Sequence, residues 1–259
     1  MTAKPLVVAL KEIVDNLLDV RSVFSSLMFA LMGPLVVGLV SLAPGIKGAA
    51  PSPIPGLMSV FTLVAAFSGG MNIAVDTIAG ERERRSLLPL LLNPVPRWHI
   101  AFGKWMAISF FALAGLVVNV LGFAIVFVTS GMRLYASVPS LALAMVLAVF
   151  PLPFLAASIQ LSVSTFCRAV KEAHTYLSML VFLPMGIGML LVFFPAARRA
   201  SFAFLPLLGQ QLDLQRLMDG RGIPFLPSLL LGCLTLVLAL AVMLLASKRL
   251  QRDEIIYGN

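Results

Sequence analysis

Runs of about twenty consecutive apolar residues recur along the whole sequence, and this feature restricts the possible folds more than any other. A run of that length crosses the hydrocarbon core of a bilayer as an α-helix. The composition agrees, because 60% of the 259 residues are hydrophobic and only 12% are charged. A helix on the surface of a soluble protein needs a polar outer face, which these runs lack. The sequence therefore predicts an all-α polytopic membrane protein.

The apolar runs predict six transmembrane helices in a single transmembrane domain over residues 1–259. The predicted spans cover residues 24–43, 54–78, 105–129, 139–166, 177–195 and 225–247. Proline interrupts three of them, at Pro34, Pro151 and Pro184. Inside a bilayer, neighbouring helices satisfy the backbone groups that such residues release. We therefore expect kinks or breaks in these spans.

The lysine and arginine residues are distributed unevenly between the two sides of the predicted spans, and this distribution sets the orientation of a membrane protein. Thirteen of the 19 lie in the N-terminal segment, the connections after the second and fourth spans, and the tail. That side is predicted to be cytoplasmic, so both termini are cytoplasmic and the chain lies in a bacterial cytoplasmic (inner) membrane. The net charge of +8 is then expected to contact the anionic inner leaflet of the lipid bilayer. Nucleic acid is not expected as a partner, because no basic stretch is interleaved with surface aromatic residues.

Residues 5–21 place apolar side chains on one side of a helical wheel. The charged residues lie mostly elsewhere on the wheel, and they include Lys11, Glu12, Asp15 and Arg21. A helix of this kind lies in the plane of a membrane surface, with its apolar face toward the acyl chains. We predict an amphipathic interface helix on the cytoplasmic side. The charges throughout this segment argue against a cleavable signal peptide.

Residues 196–222, on the extracytoplasmic side by the predicted topology, mix leucines with Gln210, Gln211, Asp213 and Gln215. The segment is too apolar for a solvated loop of its length. It predicts a re-entrant or interfacial helical segment before the last span. An ordinary surface loop with one amphipathic turn is the alternative.

The connection between the second and third predicted spans, residues 79–104, crowds five charged residues into consecutive positions: Glu81, Arg82, Glu83, Arg84 and Arg85. In a helix, Glu81 lies three or four residues from Arg84 and Arg85, so the segment can form a short, internally paired helix. The apolar continuation LLPLLL would press this helix against the membrane or into a hydrophobic groove of a partner protein. A positive-inside anchor is the alternative. That alternative does not explain the glutamates, because acidic residues contribute little to topology.

The sequence contains no GxxxxGK[ST] phosphate loop, so the chain is not expected to hydrolyse ATP itself. Ser68, Gly69 and Gly70 lie inside an apolar run, where small residues allow close helix packing. No serine has a plausible histidine and acid partner on the same side of the membrane, which disfavours an enzyme active site. His99 and His174 have no second ligand at a suitable spacing, so no metal site is predicted.

Polar side chains inside the predicted spans are few and mostly neutral: Asn72, Thr77, Asn119 and Gln160, with Asp76 about one turn from the cytoplasmic end of the second span. Such groups line a pathway or join helices by hydrogen bonds, and we favour the joining role for Asn72 and Asn119. Asn72, Asp76 and Thr77 form the one local cluster of oxygens suited to an ion. An ion-coupled carrier usually needs titratable groups well inside the spans, so that class is disfavoured.

Four segments carry a resemblance to a known family. DTIAGERERRSLLPLLLNPVPRWHIAFGK, residues 76–104, resembles the connection between the second and third spans of type-2 ABC-exporter permeases, specifically of their sodium-efflux-permease-like branch. KEIVDNLLDVRSVFSSLMFALMGPL, STFCRAVKEAHTYLSMLVFLP and LPLLGQQLDLQRLMDG are similar to the family's segments at the first, fifth and last spans. The positions that fit the pattern of the first segment are Asp76, Gly80, Glu81, Glu83, Arg84, Leu87, Leu91, Leu92, Pro94, Gly103 and Lys104.

The sequence also departs from that family. Members of the sodium-efflux type often carry a large extracytoplasmic domain between the first two spans, whereas the connection here has about a dozen residues. Arg85 and Pro89 replace the usual glycine and glutamate, and His174 replaces a glutamine. The resemblance therefore extends to the transport architecture and leaves the substrate open.

The resemblance implies a transporter subunit without its own ATPase site or cofactor. A separate cytoplasmic ABC ATPase subunit would hold ATP and Mg, and a second permease copy or a related chain would complete the dimer. The coupling contacts would be made by residues 81–84, that is Glu81, Arg82, Glu83 and Arg84, with the interface helix alongside. ATP-driven closure of the ATPase subunits would tilt the permease subunits and export a substrate.

Two other classes remain open at the level of the sequence. A membrane assembly or scaffold subunit would recruit a cytoplasmic partner through the same connection and transport nothing. A secondary carrier would use an ion gradient. For the exporter, the neutral spans, which are rich in Met and Phe, favour a lipid, peptide or drug-like cargo over an ion.

Overall fold

The computed structural model describes residues 4–42, 54–86, 96–130, 143, 145–194 and 200–250. Within these ranges every regular element is helical, and six helical stretches are long and apolar enough to cross a bilayer. Spans 1 to 6 are Val20–Leu42, Ile54–Glu83, Arg97–Ser130, Met145–Phe166, Val170–Phe193 and Phe225–Arg249. The predicted fold class and the six spans are confirmed. The connection between spans 1 and 2, the continuation LLPLLL and the tail after residue 250 lie outside the described residues.

Among the boundaries that lie within the described residues, three differ from the prediction by five residues or more. Span 2 continues to Glu83 instead of ending at 78, span 3 begins at Arg97 instead of 105, and span 5 begins at Val170 instead of 177. Charged residues marked the predicted ends, but several of their side chains have partners within the protein. A helix can continue through charged residues whose groups are satisfied in this way. Consequently Glu81 belongs to span 2, and Lys104 lies inside span 3.

Span 2 is the central helix of the bundle. Within its most apolar window 89% of the residues are buried, compared with 22% for spans 1 and 5. It is also irregular: the α-helix Ile54–Ser68 ends at a turn, and the short helix Met71–Ala74 leads into the π-helix Val75–Gly80 and the short α-helical segment Glu81–Glu83. Irregular backbone at membrane depth requires partners from the surrounding protein. The central position of span 2 supplies them.

The turn in span 2 coincides with a close contact between two backbones. A Cβ atom on Gly70 would lie 2.7 Å from the carbonyl oxygen of Ile108 in span 3, and one on Gly69 would lie 2.9 Å from that of Phe111. On the facing helix, a Cβ atom on Gly115 would lie 3.0 Å from the Cα atom of Gly69. The prediction that Gly69 and Gly70 allow close helix packing is confirmed. Only residues without a side chain permit this approach.

The N-terminal helix, Lys4–Leu18, packs on span 3 through a side that holds both polar and apolar residues. Ala9, Glu12 and Asn16 are buried there, whereas six other apolar side chains of the helix are about half exposed or more: Leu6, Val7, Leu10, Val14, Leu17 and Leu18. The helix approaches span 3 closely, since a Cβ atom on Gly103 would lie 2.7 Å from the Cβ atom of Val8. An apolar face that no protein covers suits a helix whose outer side enters the bilayer. The cytoplasmic placement of this helix stays a prediction.

Asp19 separates the N-terminal helix from span 1 and caps the span. One carboxylate oxygen accepts a hydrogen bond of 2.6 Å from the Ser22 hydroxyl, and the other accepts one of 3.1 Å from the Arg21 backbone N–H. The hydrogen bond from the Ser22 hydroxyl holds the pKa of the Asp19 carboxyl group below its ordinary value, and the hydrogen bond from the Arg21 backbone acts in the same direction. A carboxylate at this position satisfies backbone donors that a helix start otherwise leaves free.

The segment before span 6 is helical, as predicted, with a 3₁₀-helix Ala200–Phe204 followed by the helix Leu208–Met218. Its polar residues are buried between the spans. Gln211 donates a hydrogen bond of 2.8 Å to Ser59 of span 2, and Asp213 accepts one of 2.7 Å from Ser228 of span 6. These bonds exclude the alternative of an ordinary surface loop. The re-entrant or interfacial placement stays a prediction.

Gly70→Ala tests the close contact between spans 2 and 3. The added methyl group would meet the backbone of Ile108, which cannot move as a side chain can, and overpacking of this kind costs about 1–3 kcal/mol. We expect a lower thermal unfolding midpoint for the purified protein. Gly186→Ala in span 5 is the control, because its Cβ atom would meet nothing within 4 Å. Equal midpoints for the two variants would contradict the contact.

Candidate functional site

Lys104 of span 3 is completely buried, and its ammonium group contacts three oxygens. The Nζ atom lies 3.0 Å from Oε1 of Glu12 and 2.8 Å from Oε1 of Glu81, and it donates a hydrogen bond of 2.7 Å to the carbonyl oxygen of Thr77. A lysine ammonium has three donors and no acceptor. These four residues, named here the Lys104 cluster, therefore satisfy every donor of the buried cation.

The cluster joins three elements that are far apart in the sequence. Glu12 comes from the N-terminal helix, Thr77 and Glu81 come from the end of span 2, and Lys104 comes from span 3. Thr77 lies in the π-helical segment, a distortion that is frequent at functional sites. The ionic contacts therefore fix the end of span 2 against two other helices at once.

The charge balance of the cluster is negative, with two carboxylates and one ammonium group. Within the described part of the chain, the second oxygen of Glu81, Oε2, is buried and has no hydrogen-bond partner. Removing one member of a buried ion pair is costly because it leaves the other charge uncompensated in a medium of low polarity. Both carboxylates therefore depend on Lys104 for the positive charge that compensates them.

The remaining charged residues at the end of span 2 contact their own chain. Arg82 donates a hydrogen bond of 3.3 Å to the carbonyl oxygen of Cys167, and Glu83 accepts one of 2.7 Å from the backbone N–H of Val170. Arg84 lies 3.2 Å from Asp76. These contacts hold the end of span 2 against the connection between spans 4 and 5.

The predicted internal pairing of this segment is wrong. Within the described residues Glu81 pairs with Lys104, and Arg84 pairs with Asp76, so Glu81 does not pair with Arg84 or Arg85. The reason is that Glu81 points into the protein, where a buried cation competes for it. The side chains that do reach the surface are Glu83, Arg84 and Arg85, named here the charged tip. The Arg84 side chain is 69% exposed.

Each of the polar residues predicted inside the spans has a hydrogen-bond partner, either on another helix or within its own span. Asn72 donates to the Ser25 hydroxyl of span 1 at 2.7 Å, and Asn119 donates to the carbonyl oxygen of Ala30 at 2.9 Å. Gln160 of span 4 donates to the carbonyl oxygen of Phe67. All three amides join helices. Such hydrogen bonds are what the joining role of Asn72 and Asn119 requires, and the role itself stays a prediction.

The side chains of the candidate ion cluster, Asn72, Asp76 and Thr77, each have a different hydrogen-bond partner. Asn72 is directed to span 1, Asp76 to Arg84, and the Thr77 hydroxyl to the carbonyl oxygen of Ala74 in its own helix. Among the residues that the structure describes, no group of three or more His, Cys, Asp or Glu side chains is arranged to hold a metal ion.

The interface-helix residues predicted as a group are not brought together. Glu12 faces the protein and joins the Lys104 cluster, whereas Lys11 and Asp15 form an exposed pair of 3.6 Å. Arg21 donates its backbone N–H to the carboxylate of Asp19, as described above. Glu12 is thus the residue of this set that belongs to the candidate site.

The role of Lys104 does not follow from the sequence pattern. The residue counts among the predicted cytoplasmic cations, and the predicted third span begins one residue later, which leaves the charge outside the membrane. The available signal was a lysine between Gly103 and Trp105 in an otherwise apolar stretch. A lysine in such a position is almost never buried without a partner, and the partner is a residue 92 positions earlier in the chain.

These features define an integral membrane protein of six helical spans, with an ionic cluster that ties the N-terminal helix to the end of the second span. The sequence model of the family described as ABC-2 family transporter protein matches residues 6–220. The chain therefore belongs to the ABC-2 family of transporter proteins, which includes ABC transporter permeases, and the resemblance predicted from the sequence is confirmed.

A relative of known sequence agrees with this assignment. The chain is similar to the ABC transporter permease protein NatB of Bacillus subtilis (strain 168), with 30% identity over 195 residues. The matched region covers 69% of this chain and 48% of NatB, so the chain spans about half the length of this relative.

Lys104→Met tests the Lys104 cluster. The substitution keeps the length of the side chain and leaves two carboxylates without their cation, so we expect a loss of stability of about 3–5 kcal/mol, measured by thermal or denaturant unfolding in detergent. Adding Glu81→Gln to this variant should restore part of the loss, because it removes one uncompensated charge. Lys11→Met is the control. Its exposed pair with Asp15 is worth less than about 1 kcal/mol, and an equal loss in both variants would contradict the model of a buried cluster.

Proposed function

We propose that the chain is the permease subunit of an ATP-driven exporter. A separate cytoplasmic ATPase subunit binds ATP and Mg and hydrolyses the ATP, and two permease subunits, identical or related, form the pathway. Family membership and the arrangement at the end of span 2 support this proposal. The observation that carries it is the charged tip, which is exposed for docking while the Lys104 cluster anchors it from behind.

The charged residues divide into two roles in this proposal. Glu81 and Arg82 are positioning residues, because their side chains are partly buried and contact Lys104 and the carbonyl oxygen of Cys167 within the same chain, whereas the charged tip is exposed. The charged tip, Glu83 to Arg85, makes the contacts with the ATPase subunit. A positioned set of both signs of charge favours one docking orientation over others.

Movement of the ATPase subunits reaches the membrane through the Lys104 cluster. A displacement of the charged tip acts on the end of span 2, and the ionic contacts carry it to the N-terminal helix and span 3 together. The turn at Gly69 and Gly70 is the place where span 2 can bend, because the regular helix is interrupted there. The half of span 2 nearest the ATPase then tilts relative to Ile54–Ser68, which changes the side of the membrane to which the pathway opens.

The cargo we propose is hydrophobic or amphipathic. Asn72, Asn119 and Gln160 each donate a hydrogen bond to another span, and within the described residues no group of three or more His, Cys, Asp or Glu side chains is placed to hold a metal ion. In this proposal both termini lie in the cytoplasm, and the substrate is exported from the cytoplasm.

Co-purification tests the partner. The tagged chain is isolated in mild detergent from its native host and examined by mass spectrometry and an ATPase assay. We expect an ABC ATPase subunit to co-purify and to show nucleotide-dependent changes in the conformation of the permease. A partner that binds without such changes would indicate the scaffold function, and transport driven by an ion gradient alone would indicate a secondary carrier. Isolation of the chain without any ATPase subunit would overturn the proposal of an ATP-driven exporter.

Arg84→Glu tests the docking role of the charged tip. Reversal of an exposed charge at a contact should weaken binding of the ATPase subunit by about tenfold or more, measured by titration of the purified subunits. Lys248→Glu is the control, since this exposed cation ends span 6 and lies outside the charged tip. Equal weakening by both substitutions would mean that general surface charge, and not the tip, attracts the partner.

Glu83→Ala tests the part of Glu83 in coupling. The variant loses the hydrogen bond that Glu83 accepts from the backbone of Val170. We expect the variant to insert into the membrane normally and to lose most of the ATP hydrolysis that depends on the permease. Normal coupled activity in this variant would remove Glu83 from the coupling mechanism.

A further inference from the structure

A groove separates the last turns of spans 4 and 6 at the membrane side that holds the C-terminal end of span 6. The cavity has a volume of about 460 Å³. Its walls include Ser162, Thr165 and Phe166 from span 4 and Leu245, Lys248 and Arg249 from span 6. None of these residues belongs to the Lys104 cluster or the charged tip.

The groove combines an apolar wall with a cationic rim. Phe166 is 59% exposed and Leu245 is 65% exposed, so these side chains face the region that a bilayer would occupy. Lys248 and Arg249 stand at the end of span 6, and within the described ranges neither is paired with a carboxylate. The exposed apolar wall and two cations without a carboxylate partner in the described ranges therefore meet in one place.

Arg249 is held across the groove by an aromatic ring. Its guanidinium carbon lies 3.3 Å from the centroid of the Phe166 ring, a cation–π contact between the two spans. Ser162 and Thr165 donate their hydroxyl protons to carbonyl oxygens of their own helix. The donors that remain for a ligand at this rim are those of Lys248 and Arg249.

We propose that this groove binds one anionic phospholipid from the leaflet at the ends of spans 4 and 6. The lipid phosphate contacts Lys248 and Arg249, and an acyl chain lies along Phe166 and Leu245. Charge complementarity selects an anionic headgroup, because basic pockets between membrane helices attract such lipids. The lateral opening toward the bilayer selects a lipid over a soluble anion. The assignment to the inner leaflet rests on the orientation given under the proposed function.

Native mass spectrometry of the purified chain tests this site. The protein is exchanged into detergent with phosphatidylglycerol or with phosphatidylcholine at equal concentration. We expect one tightly retained phosphatidylglycerol and little retained phosphatidylcholine. Lys248→Gln combined with Arg249→Gln should weaken retention roughly ten- to thirtyfold, the effect expected for two cations near a membrane surface.

A matched control separates the groove from general surface charge. Arg168→Gln combined with Lys171→Gln removes two exposed cations from the same side of the protein, at the connection between spans 4 and 5. This control should retain the lipid as the unsubstituted protein does. Equal loss in both double variants, or equal retention of the two lipids, would overturn the site.

Ser162→Phe tests the shape of the groove without a change in charge. The larger side chain fills the space between the two spans, so we expect it to lower retention of phosphatidylglycerol about as much as the loss of both cations. Unfolding midpoints measured without added lipid show whether each variant is folded. Full retention in a folded Ser162→Phe protein would reject the groove. The measurement needs no ATPase subunit, so its failure is distinguishable from failure of the exporter proposal.

Discussion

The buried ammonium group of Lys104 is the interaction on which one end of the molecule depends. A charge without water must be surrounded by acceptors, and here the acceptors come from the N-terminal helix and from span 2. The requirement of one cation therefore fixes the relative position of three elements. It also explains why Glu81 is directed inward while its neighbours Glu83 and Arg84 remain at the surface.

The backbone groups of span 2 likewise need hydrogen-bond partners where they are buried. Its turn and π-helical segment leave groups that a regular helix would satisfy, and side chains of other spans contact them. Gln160 donates to the carbonyl oxygen of Phe67, and Ser164 accepts from the backbone N–H of Ala79 at 3.3 Å. In a bilayer, only a helix surrounded by protein can have such irregularities. The irregular span 2 is for this reason also the most buried one, which suits the part that we propose for it in transmitting movement.

The cations assigned to one side of the membrane have different surroundings, and these surroundings distinguish their roles. Lys104 is enclosed by acceptors and acts within the chain. Arg84 lies at an exposed tip whose position is fixed from behind. Lys248 and Arg249 border an apolar groove, which we propose to bind a lipid. A count of positive charges gives the topology, whereas the neighbouring groups decide which charge meets a protein and which meets a membrane.

The sequence by itself determined the six spans and the presence of helices at the N-terminus and before span 6, because hydrophobic length and periodicity are local properties of a chain. It also identified the segment that carries the charged tip. Only the tertiary structure decided that span 2 continues through Glu81, that this residue pairs with Lys104 instead of Arg84, and that Gln211 is buried against Ser59. A charged residue near the end of an apolar run looks the same in sequence whether it is solvated or enclosed. Its partner depends on which distant helices pack beside it, and that information is absent from the local pattern.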